Sequence, residues 1–367
     1  MIPYVEILKW NAAKTALNAF QVIEPSECWF ELSYYEVGQF EVYAAATLKN
    51  LSALQKGNFV KIPHRSYLWV IVSIQYEYNA DGARMISAKG YEAKQIVGKR
   101  IIRDPLQLPA NLANALETMF SANLGTNAIS ERRIAGLTWS WDGLTGKTTD
   151  AQATRGNMLD FTLNLLKLHK VGTKSTLSNG KVLFSTFNGS DRSNYVIFSQ
   201  SLDNLVKSTY FTSDENLKTN CQIVSTFNEQ ENVGGVNRSV SHDYIAYYPA
   251  EAAGASGIDR DEITITPNLS TKVINNGVET EIAPDSAEFI AMQEAEGAAT
   301  LAEKTTVTEL NGEIDLANSQ YVFDEDFSVG DLVKIIDEYF GIAGTARIIK
   351  YTIKQDAGGY GEIADYE

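Results

Sequence analysis

The chain has 367 residues, of which 44% are hydrophobic and 21% charged, a composition typical of a globular protein of about two to four domains. Its formal net charge of −15 argues against a protein that binds nucleic acid by neutralising phosphates. No run approaches the roughly 18 apolar residues that a membrane-spanning helix needs, so we expect no membrane span.

Residues 4 to about 103 are expected to form a set of strands. The segment Phe40-Glu41-Val42-Tyr43 alternates apolar and polar side chains, which is typical of a strand with one buried face. A short helix is expected over residues 48–55. The run Lys56-Gly57-Asn58-Phe59-Val60-Lys61-Ile62 then leads into an apolar strand at 69–74 and a turn at Asp81-Gly82. Turn, strand, loop, strand and polar turn in this order are typical of a small antiparallel barrel.

Two helices and a hairpin are expected in the middle of the chain. Pro105 and Pro109 mark a boundary, after which large apolar side chains recur on one face of a helix that Gly125 would end. A second helix over about 157–169 is apolar almost all round, so it should be buried. Asn179-Gly180 predicts a hairpin turn between two strand-like runs. With the neighbouring strands, these elements predict one α+β unit.

Strands return after Ser199, and a third helix interrupts them. Small residues at 249–257 predict an exposed loop. The segment Asp285-Ser286-Ala287-Glu288 resembles a capping box and predicts a helix that runs to about Lys304. We expect the closing strands to pair with strands near 205–245, which would make the last domain discontinuous.

The closing strands repeat the pattern found near the start of the chain. Val329-Gly330-Asp331-Leu332-Val333-Lys334-Ile335 matches the run at 56–62, and it is followed by an apolar strand at 346–351 and a turn at Gly358-Gly359. The repeat predicts two similar barrels in which Gly57 and Gly330 are equivalent, because glycine adopts backbone angles denied to other residues. The alternative is that this pattern is merely a common way to begin a strand.

These elements predict an α+β, mainly β, multi-domain fold with two similar antiparallel β-barrel domains plus α+β insertions. The first barrel is expected over residues 1–105 and an α+β domain over 106–200. The second barrel would be formed by 201–245 together with 306–367, and 246–305 would be an inserted α+β segment.

Two cysteines, Cys28 and Cys221, lie in strand-like runs far apart in the sequence. A disulfide between them is compatible with the sequence. Buried free thiols are favoured, because a protein made in cytoplasm rarely keeps a disulfide.

No pattern predicts a catalytic, cofactor-binding or metal-binding residue. His64, His169 and His242 lack the spacing of metal ligands. Gly146-Lys147-Thr148 ends like a phosphate-binding loop, but the earlier glycine of such a loop is absent and Trp141-Asp142-Gly143 indicates a hairpin instead.

Two clusters of charged residues stand out, and the carboxylates of the first could bind a hard cation. Asp324-Glu325-Asp326 lacks the spacing of a calcium loop and predicts a solvated turn. Asp259-Arg260-Asp261-Glu262 is the densest charge run and predicts a local ion-pair cluster at the start of a strand.

Several stretches resemble the tail-tip hub proteins of long-tailed phages and prophages, the hub part of the tail-associated lysins, which are similar in architecture to the central baseplate hub of contractile-tailed phages. The resemblance covers nearly the full length. The stretches that carry it are Phe30-Glu31-Leu32, Tyr35-Glu36-Val37-Gly38-Gln39-Phe40-Glu41, Leu54-Gln55-Lys56-Gly57-Asn58-Phe59-Val60, Gly90-Tyr91-Glu92, Gly98-Lys99-Arg100-Ile101-Ile102, Phe198-Ser199, Asp203-Asn204-Leu205, Tyr210, Ser213, Gly257-Ile258-Asp259-Arg260-Asp261-Glu262, Glu296-Gly297, Leu301 and Phe327-Ser328-Val329-Gly330-Asp331-Leu332-Val333. One departure is Asp261, where the family pattern has a basic residue.

The resemblance implies a non-enzymatic structural hub without a cofactor. Three chains with two barrels each would form a homotrimeric ring that joins a six-fold tail to a three-fold tip and closes the tail channel before DNA ejection. The implied partners are other copies of the chain, a hexameric distal tail protein, the tape-measure protein and receptor-binding or tip proteins, with no specific nucleic-acid binding. The implied location is the tail tip of a virion assembled in the bacterial cytoplasm.

Two other functions stay open. One is an enzyme that cleaves cell-wall sugar or peptide with carboxylates from scattered strands. The other is a carbohydrate-binding tail protein in which Trp139 and Trp141 stack on sugar, although their alternation with polar residues also suits the inward face of a strand. Longer relatives carry a C-terminal peptidase or glycosidase domain, whereas this sequence stops directly after the second barrel motif, so we expect no lysin domain.

Overall fold

The structure is a computed structural model that describes residues 2–202, 204–205, 207–234, 236–275, 278–314, 320–339 and 341–367. Asp203, which belongs to one of the stretches that carry the family resemblance, lies outside the described residues. Strands outnumber helices throughout the described chain, so the expected α+β, mainly β class is confirmed.

The N-terminal unit is an antiparallel sheet in the order β2-β1-β5-β6-β7-β4-β3. Its elements are β1 (Val5–Trp10), β2 (Leu17–Ile23), β3 (Glu27–Ser33), β4 (Gln39–Ala45), α1 (Leu48–Ala53), β5 (Phe59–Lys61), β6 (Trp69–Tyr78) and β7 (Arg84–Glu92). The Thr47 hydroxyl accepts a hydrogen bond from the backbone N–H of Asn50 and starts α1, as a helix cap does. The short helix expected over residues 48–55 is therefore confirmed, and it ends at Ala53.

The middle of the chain packs two helices against small sheets. Its elements are β8 (Ile101–Ile102), β9 (Leu106–Gln107), α2 (Leu112–Asn123), β10 (Leu137–Trp141), β11 (Gln152–Ala153), β12 (Gly156–Asn157), α3 (Met158–Leu168), β13 (Gly172–Ser178), β14 (Lys181–Phe187) and β15 (Ile197–Ser199). Asparagine side chains cap both helices, Asn111 for α2 and Asn157 for α3, so both expected helices are confirmed.

Turn chemistry decides where this middle segment follows the sequence prediction. Asn179 and Gly180 have φ of 49° and 73°, the left-handed pair of a tight hairpin, which confirms the turn between β13 and β14. The hairpin expected at Trp141-Asp142-Gly143 is wrong, because β10 pairs with β14 in parallel rather than with the next stretch of chain. Full burial of α3 is also wrong, since its Asp160, Asn164 and Lys167 are exposed.

The C-terminal part holds ten strands and one helix within the described residues. Its elements are β16 (Lys207–Ser213), β17 (Asn220–Val233), β18 (Val236–Tyr248), β19 (Glu262–Ile265), β20 (Lys272–Asn275), β21 (Val278–Glu281), α4 (Ala287–Glu303), β22 (Val307–Ile314), β23 (Leu332–Asp337), β24 (Ile342–Asp356) and β25 (Gly359–Tyr366). Helix α4 begins where predicted, but its cap is the Ser286 hydroxyl, which accepts from the Phe289 N–H at 3.2 Å.

Helix α4 packs on the long hairpin of β17 and β18. The rings of Phe227 and Phe289 meet edge to face at 5.5 Å. The buried Gln293 amide donates to the Ser225 hydroxyl at 3.0 Å and to the Tyr244 carbonyl at 2.8 Å, so this interface is satisfied in its polar groups as well.

One 13-stranded sheet contains the strands of both repeats. Its main path runs β16-β22-β25-β24-β3-β4-β7-β6-β5-β1-β2, and β15 and β23 attach beside β24. The two units join where β24 pairs antiparallel with β3, from Lys350 opposite Ser33 to Gln355 opposite Cys28. Two separate barrels are therefore not confirmed, because the described strands form one continuous path. The division into domains stays a prediction.

The two halves of this sheet have the same strand order in the same register. The order β5-β6-β7-β4-β3 in the first unit corresponds to β23-β24-β25-β22-β16 in the second. A row of paired residues crosses four strands in each unit: Phe30, Phe40, Gly90 and Ile71 in the first, and Tyr210, Leu310, Tyr366 and Ile348 in the second. The register shifts directly after Ile71 and directly after Ile348, so each unit has a bulge at the same place. The duplication inferred from sequence is thus a duplication of backbone pairing.

The two motif glycines occupy matching backbone positions. Gly57 and Gly330 have φ of 86° and 95°, and each donates its N–H to the isoleucine before the bulge, at 2.8 Å to Ile71 and 2.6 Å to Ile348. The predicted equivalence is therefore confirmed, and the reason is the left-handed angle that glycine adopts without strain.

We expect alanine to be tolerated at Gly57 and not at Gly330. A methyl group on Gly57 meets nothing within 4 Å, whereas one on Gly330 would lie 2.4 Å from the buried Tyr34 ring. Gly57→Ala should lower the free energy of unfolding by about 1–2 kcal/mol for the left-handed backbone. Gly330→Ala should lower it by about 1–3 kcal/mol more for overpacking.

Urea titrations followed by circular dichroism test the pair, with each variant serving as the other's control for backbone strain. Equal losses for the two variants would contradict the packing role assigned to Tyr34.

Candidate assembly site

Tyr34 is the point at which three parts of the chain meet. Its fully buried ring fills the space above Gly172 of the middle unit and Gly330 of the second repeat, where methyl groups would come within 2.1 and 2.4 Å of it. The Tyr34 N–H donates to the Ile349 carbonyl at 2.8 Å, and its hydroxyl accepts from the Gly189 N–H at 3.3 Å. One side chain therefore fixes the first repeat against both of its neighbours.

A buried ion pair reinforces the same junction. Lys94 Nζ lies 3.0 Å from Glu92, and the two side chains are 0% and 2% exposed. The Glu92 carboxylate accepts from the Gly38 N–H at 2.7 Å, and the Lys94 ammonium donates to the carbonyls of Ser33 and Thr173. Burial raises the pKa of Glu92 and lowers that of Lys94, while each charge opposes the shift of the other. Removing one partner would leave an uncompensated charge in the interior.

The large sheet has one apolar face and one open, charged face. The open face carries a row of cross-strand neighbours that passes from the second repeat to the first: Gly361, Lys354, Trp29, Glu41, Lys89 and Ser73. Ion pairs bridge strands along it, between Glu41 and Lys89 at 3.2 Å and between Glu31 and Lys350 at 3.5 Å. The charged surface is therefore continuous across the junction of the two units.

Several strand edges of this sheet are unpaired within the described residues, including the outer edge of β2 at the end of the path, and two of them belong to the repeated strands. One is the outer edge of β16, which carries exposed Tyr210 and Phe211. The other is the end of β6 after Ser73, where β5 no longer pairs and Tyr76 and Tyr78 are 57% and 70% exposed. Unpaired edges with exposed aromatic side chains are ready to accept a further strand.

The histidines do not come together in the structure. His64 is exposed in a loop, His169 ends α3, and His242 lies 2.7 Å from Glu231 on the β17–β18 hairpin. Burial, followed by the nearby Lys147 charge, lowers the pKa of His169. Among the described residues no group of three histidine, cysteine or acidic side chains could hold a metal ion.

The segment that resembles a phosphate-binding loop has a structural role. The Lys147 ammonium donates to the His169 carbonyl at 2.9 Å, and Thr148 pairs with Asn111 at the start of α2. The next element after Thr148 is the strand β11, so the helix that such a loop needs does not follow.

The acidic clusters also serve local structure. Asp324 accepts from Arg65 at 2.6 Å and from Tyr67 at 3.3 Å, which ties a turn to the first repeat. Lys218 lies 2.6 Å from Asp261 directly before β19, which confirms the ion-pair cluster predicted at a strand start.

The two tryptophans that could stack on sugar make hydrogen bonds and ring contacts within the protein. Both indole N–H groups donate to the same Glu117 oxygen, at 2.7 Å from Trp139 and 2.9 Å from Trp141. Both rings pack edge to face on Phe120 of α2, which leaves them only partly open to a ligand.

Both cysteines are free and buried, as the sequence favoured. Burial raises the pKa of the Cys28 thiol to about 12 and also raises that of Cys221, so neither thiol is activated as a nucleophile.

Glu362 is a carboxylic acid that would be partly protonated near neutral pH. It is 2% exposed on β25, and burial, opposed by the Arg65 charge, raises its pKa to about 7. The Tyr360 hydroxyl donates to one carboxylate oxygen, and the other has no hydrogen-bond partner. It does not itself line the neighbouring cavity formed in part by Arg65 and Tyr360, and its burial in the sheet core makes it a stability group.

Comparison with known proteins agrees with this architecture. The sequence profile of the siphovirus ReqiPepy6 Gp37-like protein family matches residues 21–364. No curated protein sequence is significantly similar to the chain.

Three solved structures of tail proteins, two of them from prophages, share the fold over 99% of this chain. The 43 kDa tail protein of prophage MuSo2 from Shewanella oneidensis aligns with a TM-score of 0.56 and 12% identity over 98% of its length. The tail protein from Neisseria meningitidis MC58 aligns with a TM-score of 0.51 and 10% identity over 95% of its length. Prophage tail protein gp18 from Listeria monocytogenes EGD-e aligns with a TM-score of 0.50 and 14% identity over 94% of its length. The resemblance to phage tail proteins drawn from sequence is thus confirmed in family and in fold.

Replacing Glu362 by glutamine should remove a pH-dependent loss of stability. A folded pKa of about 7 against an ordinary 4.5 means that the unfolded state releases its proton first, so stability is fully present below about 4.5 and falls until about 7. The total loss amounts to about 3 kcal/mol at 1.36 kcal/mol per pH unit. The unfolding free energy of Glu362→Gln relative to the parent should therefore rise by about that amount between these pH values.

Chemical denaturation at a series of pH values measures this difference, with the exposed Glu24→Gln as the matched control. A difference that stays constant with pH would refute the buried-acid assignment.

Proposed function

The chain belongs to the siphovirus ReqiPepy6 Gp37-like protein family, and we propose that it is the structural hub of a phage tail tip. In this proposal three copies form a ring that joins the six-fold tail to the three-fold tip and closes the tail channel before DNA ejection. The hub acts through assembly contacts and carries out no chemical reaction.

The observation that carries this proposal is the duplication of backbone pairing within one sheet. Each chain supplies two units with the same strand order and register, so three chains supply six similar units. A closed ring of this kind presents near six-fold symmetry on one side and three-fold symmetry on the other. A protein between a six-fold tail and a three-fold tip needs both.

The joint inside one chain indicates how two copies would join. Inside the chain, β3 of the first unit pairs with the second half of β24. The equivalents of these two strands are β16 and the second half of β6, and both present an unpaired edge in the described sheet. Pairing β16 of one copy with β6 of the next would repeat the same joint around the ring.

The register of the internal joint fixes the residues that would meet. Trp29 pairs with Lys354, and the equivalent positions in the two units are Thr209 and Glu77. The same shift places Tyr210 opposite Tyr76, and both of these side chains are exposed in the single chain. Cross-strand aromatic pairs of this kind stabilise a sheet by roughly 0.2–1 kcal/mol each.

We expect Thr209→Cys combined with Glu77→Cys to give a disulfide-linked trimer on mild oxidation. Each copy then carries one thiol at each edge, so a three-membered ring closes covalently and stops at three chains. Non-reducing gel electrophoresis reads out the product, and light scattering of the unmodified protein should give three times the chain mass of 40.5 kDa.

The matched control is Thr209→Cys combined with Asn18→Cys on β2, the strand at the other end of the sheet path. The two native thiols are buried and should not react. Efficient linkage of the control, or a monomer at high concentration that gives no linked species, would refute the ring.

The remaining partners follow from the hub role. A hexameric distal tail protein would lie above the ring, the tape-measure protein within it, and receptor-binding or tip proteins around it. The open face of the sheet would line the channel, and the net charge of −15 on each chain would repel DNA phosphates. The hub would be a component of the virion tail tip, assembled in the bacterial cytoplasm.

A wall-degrading or carbohydrate-binding tail protein is the alternative function. The contacts of Glu117 with Trp139 and Trp141 argue against a sugar platform there. We expect no clearing on a zymogram of host cell walls. A clear zone that disappears when a single carboxylate is changed to its amide would support an enzyme instead.

A further inference from the structure

A cavity beside the first repeat is lined by positive and apolar side chains. Its volume is about 370 Å³, within the roughly 300–1,000 Å³ of ordinary binding pockets. The apolar wall consists of Trp10, Phe59, Val70, Ile96 and Ile134, and the cationic residues are Lys14, Lys99, Arg100 and Arg133. No acidic residue lines it, although acids outnumber bases by 46 to 31 in the chain. The cavity is therefore positively charged, although the whole protein carries a net negative charge.

The guanidinium groups at this cavity are held by backbone carbonyls and not by carboxylates. Arg100 donates to the carbonyls of Arg132 and Lys99 at 2.9 and 3.1 Å, and Arg133 donates to the Ala128 carbonyl at 2.9 Å. None of the four cationic lining residues has an ion pair within 4.0 Å among the described residues. Fixed positive groups that form no close ion pair are preorganised for an anion.

The positive field is reinforced from behind the cavity. Burial, and then the like charges of Arg100 and Arg103, lower the pKa of Arg132. Its guanidinium donates to the Ile101 carbonyl at 2.6 Å, and its Nε has no hydrogen-bond partner. This cluster of like charges would be relieved by a bound carboxylate, since an opposite charge stabilises each guanidinium.

The apolar wall of the cavity indicates that the ligand also has an apolar group. Phe59, Val70 and Ile96 are buried behind the cavity, whereas Trp10 and Ile134 are half-buried and present apolar surface to it. The Trp10 ring stands edge to face on Phe59 at 5.3 Å. A simple anion such as phosphate would leave this wall in contact with water, whereas a large apolar side chain would cover it. A long polyanion would extend from the cavity over a protein of net charge −15 and be repelled.

We propose that this cavity binds a short acidic peptide segment of a partner protein. One large apolar side chain of the segment lies against Trp10 and Ile134, and its flanking carboxylates meet Lys14, Lys99 and the two arginines. The segment is recognised by its charge and by one hydrophobic anchor, so the cavity does not depend on ring formation at the sheet edges.

The test uses a fluorescein-labelled peptide, Asp-Glu-Leu-Phe-Glu-Asp, whose binding is followed by fluorescence anisotropy. We expect saturable binding that weakens as ionic strength rises. A peptide with Asn and Gln in place of the acids, and one with two serines in place of Leu-Phe, should each bind about tenfold more weakly or less, a difference of roughly 1.4 kcal/mol.

Charge reversal at the cavity supplies the matched variants. Lys14 and Lys99 are exposed, so Lys14→Glu with Lys99→Glu should fold normally and bind about tenfold more weakly or less. Lys49→Glu with Lys334→Glu makes the same change at exposed positions away from the cavity and should bind like the parent. Equal weakening by both double variants, or equal binding of the neutral peptide, would overturn the proposal. Binding of polyphosphate at the cavity without binding of the acidic peptide would also overturn it.

Discussion

The joint between β3 and β24 is the constraint on which the rest of the fold depends. It merges two repeats into one sheet, and it can form only if the Tyr34 ring lies in the narrow space left by Gly172 and Gly330. Burial of so large a side chain is worth roughly 1.5–3 kcal/mol, and its hydroxyl is satisfied by backbone groups of the middle unit. Gly172 of the middle unit and Gly330 of the second repeat therefore both leave room for the ring of Tyr34, which belongs to the first repeat.

Charge is used differently inside and outside this joint. Inside, Lys94 and Glu92 form a pair that is also hydrogen-bonded by the backbone of Ser33 at the end of β3, of Gly38 directly before β4 and of Thr173 on β13. Such a buried pair adds little net stability but penalises any misalignment that would separate the charges. Outside, ion pairs between strands decorate the open face, where solvent keeps each of them weak. The buried pair fixes the relative position of the segments that it joins, and the exposed pairs make the open face of the sheet charged.

Duplication within one sheet leaves one strand edge of each repeat without a partner strand. Each internal joint uses one strand edge from each unit, so the chain ends with one unused edge of each kind, on β16 and on the second half of β6. Unpaired edges with exposed aromatic side chains invite aggregation unless another strand covers them. Repeating the internal joint between copies removes both edges and closes the assembly. The same physical rule thus links the fold of one chain to its proposed ring.

The sequence alone determined the local features, because turns, caps and amphipathic strands depend on neighbours in the chain. It predicted the Asn179-Gly180 hairpin, the existence of α2 and α3, and the equivalence of Gly57 with Gly330. Only the tertiary structure decided that the repeats share one sheet, that β10 runs parallel to β14, and that Trp139 and Trp141 share Glu117. The cationic cavity also escaped the sequence, since Lys14, Lys99 and Arg133 are far apart along the chain. Pairing between distant strands is set by packing and register, which no local pattern encodes.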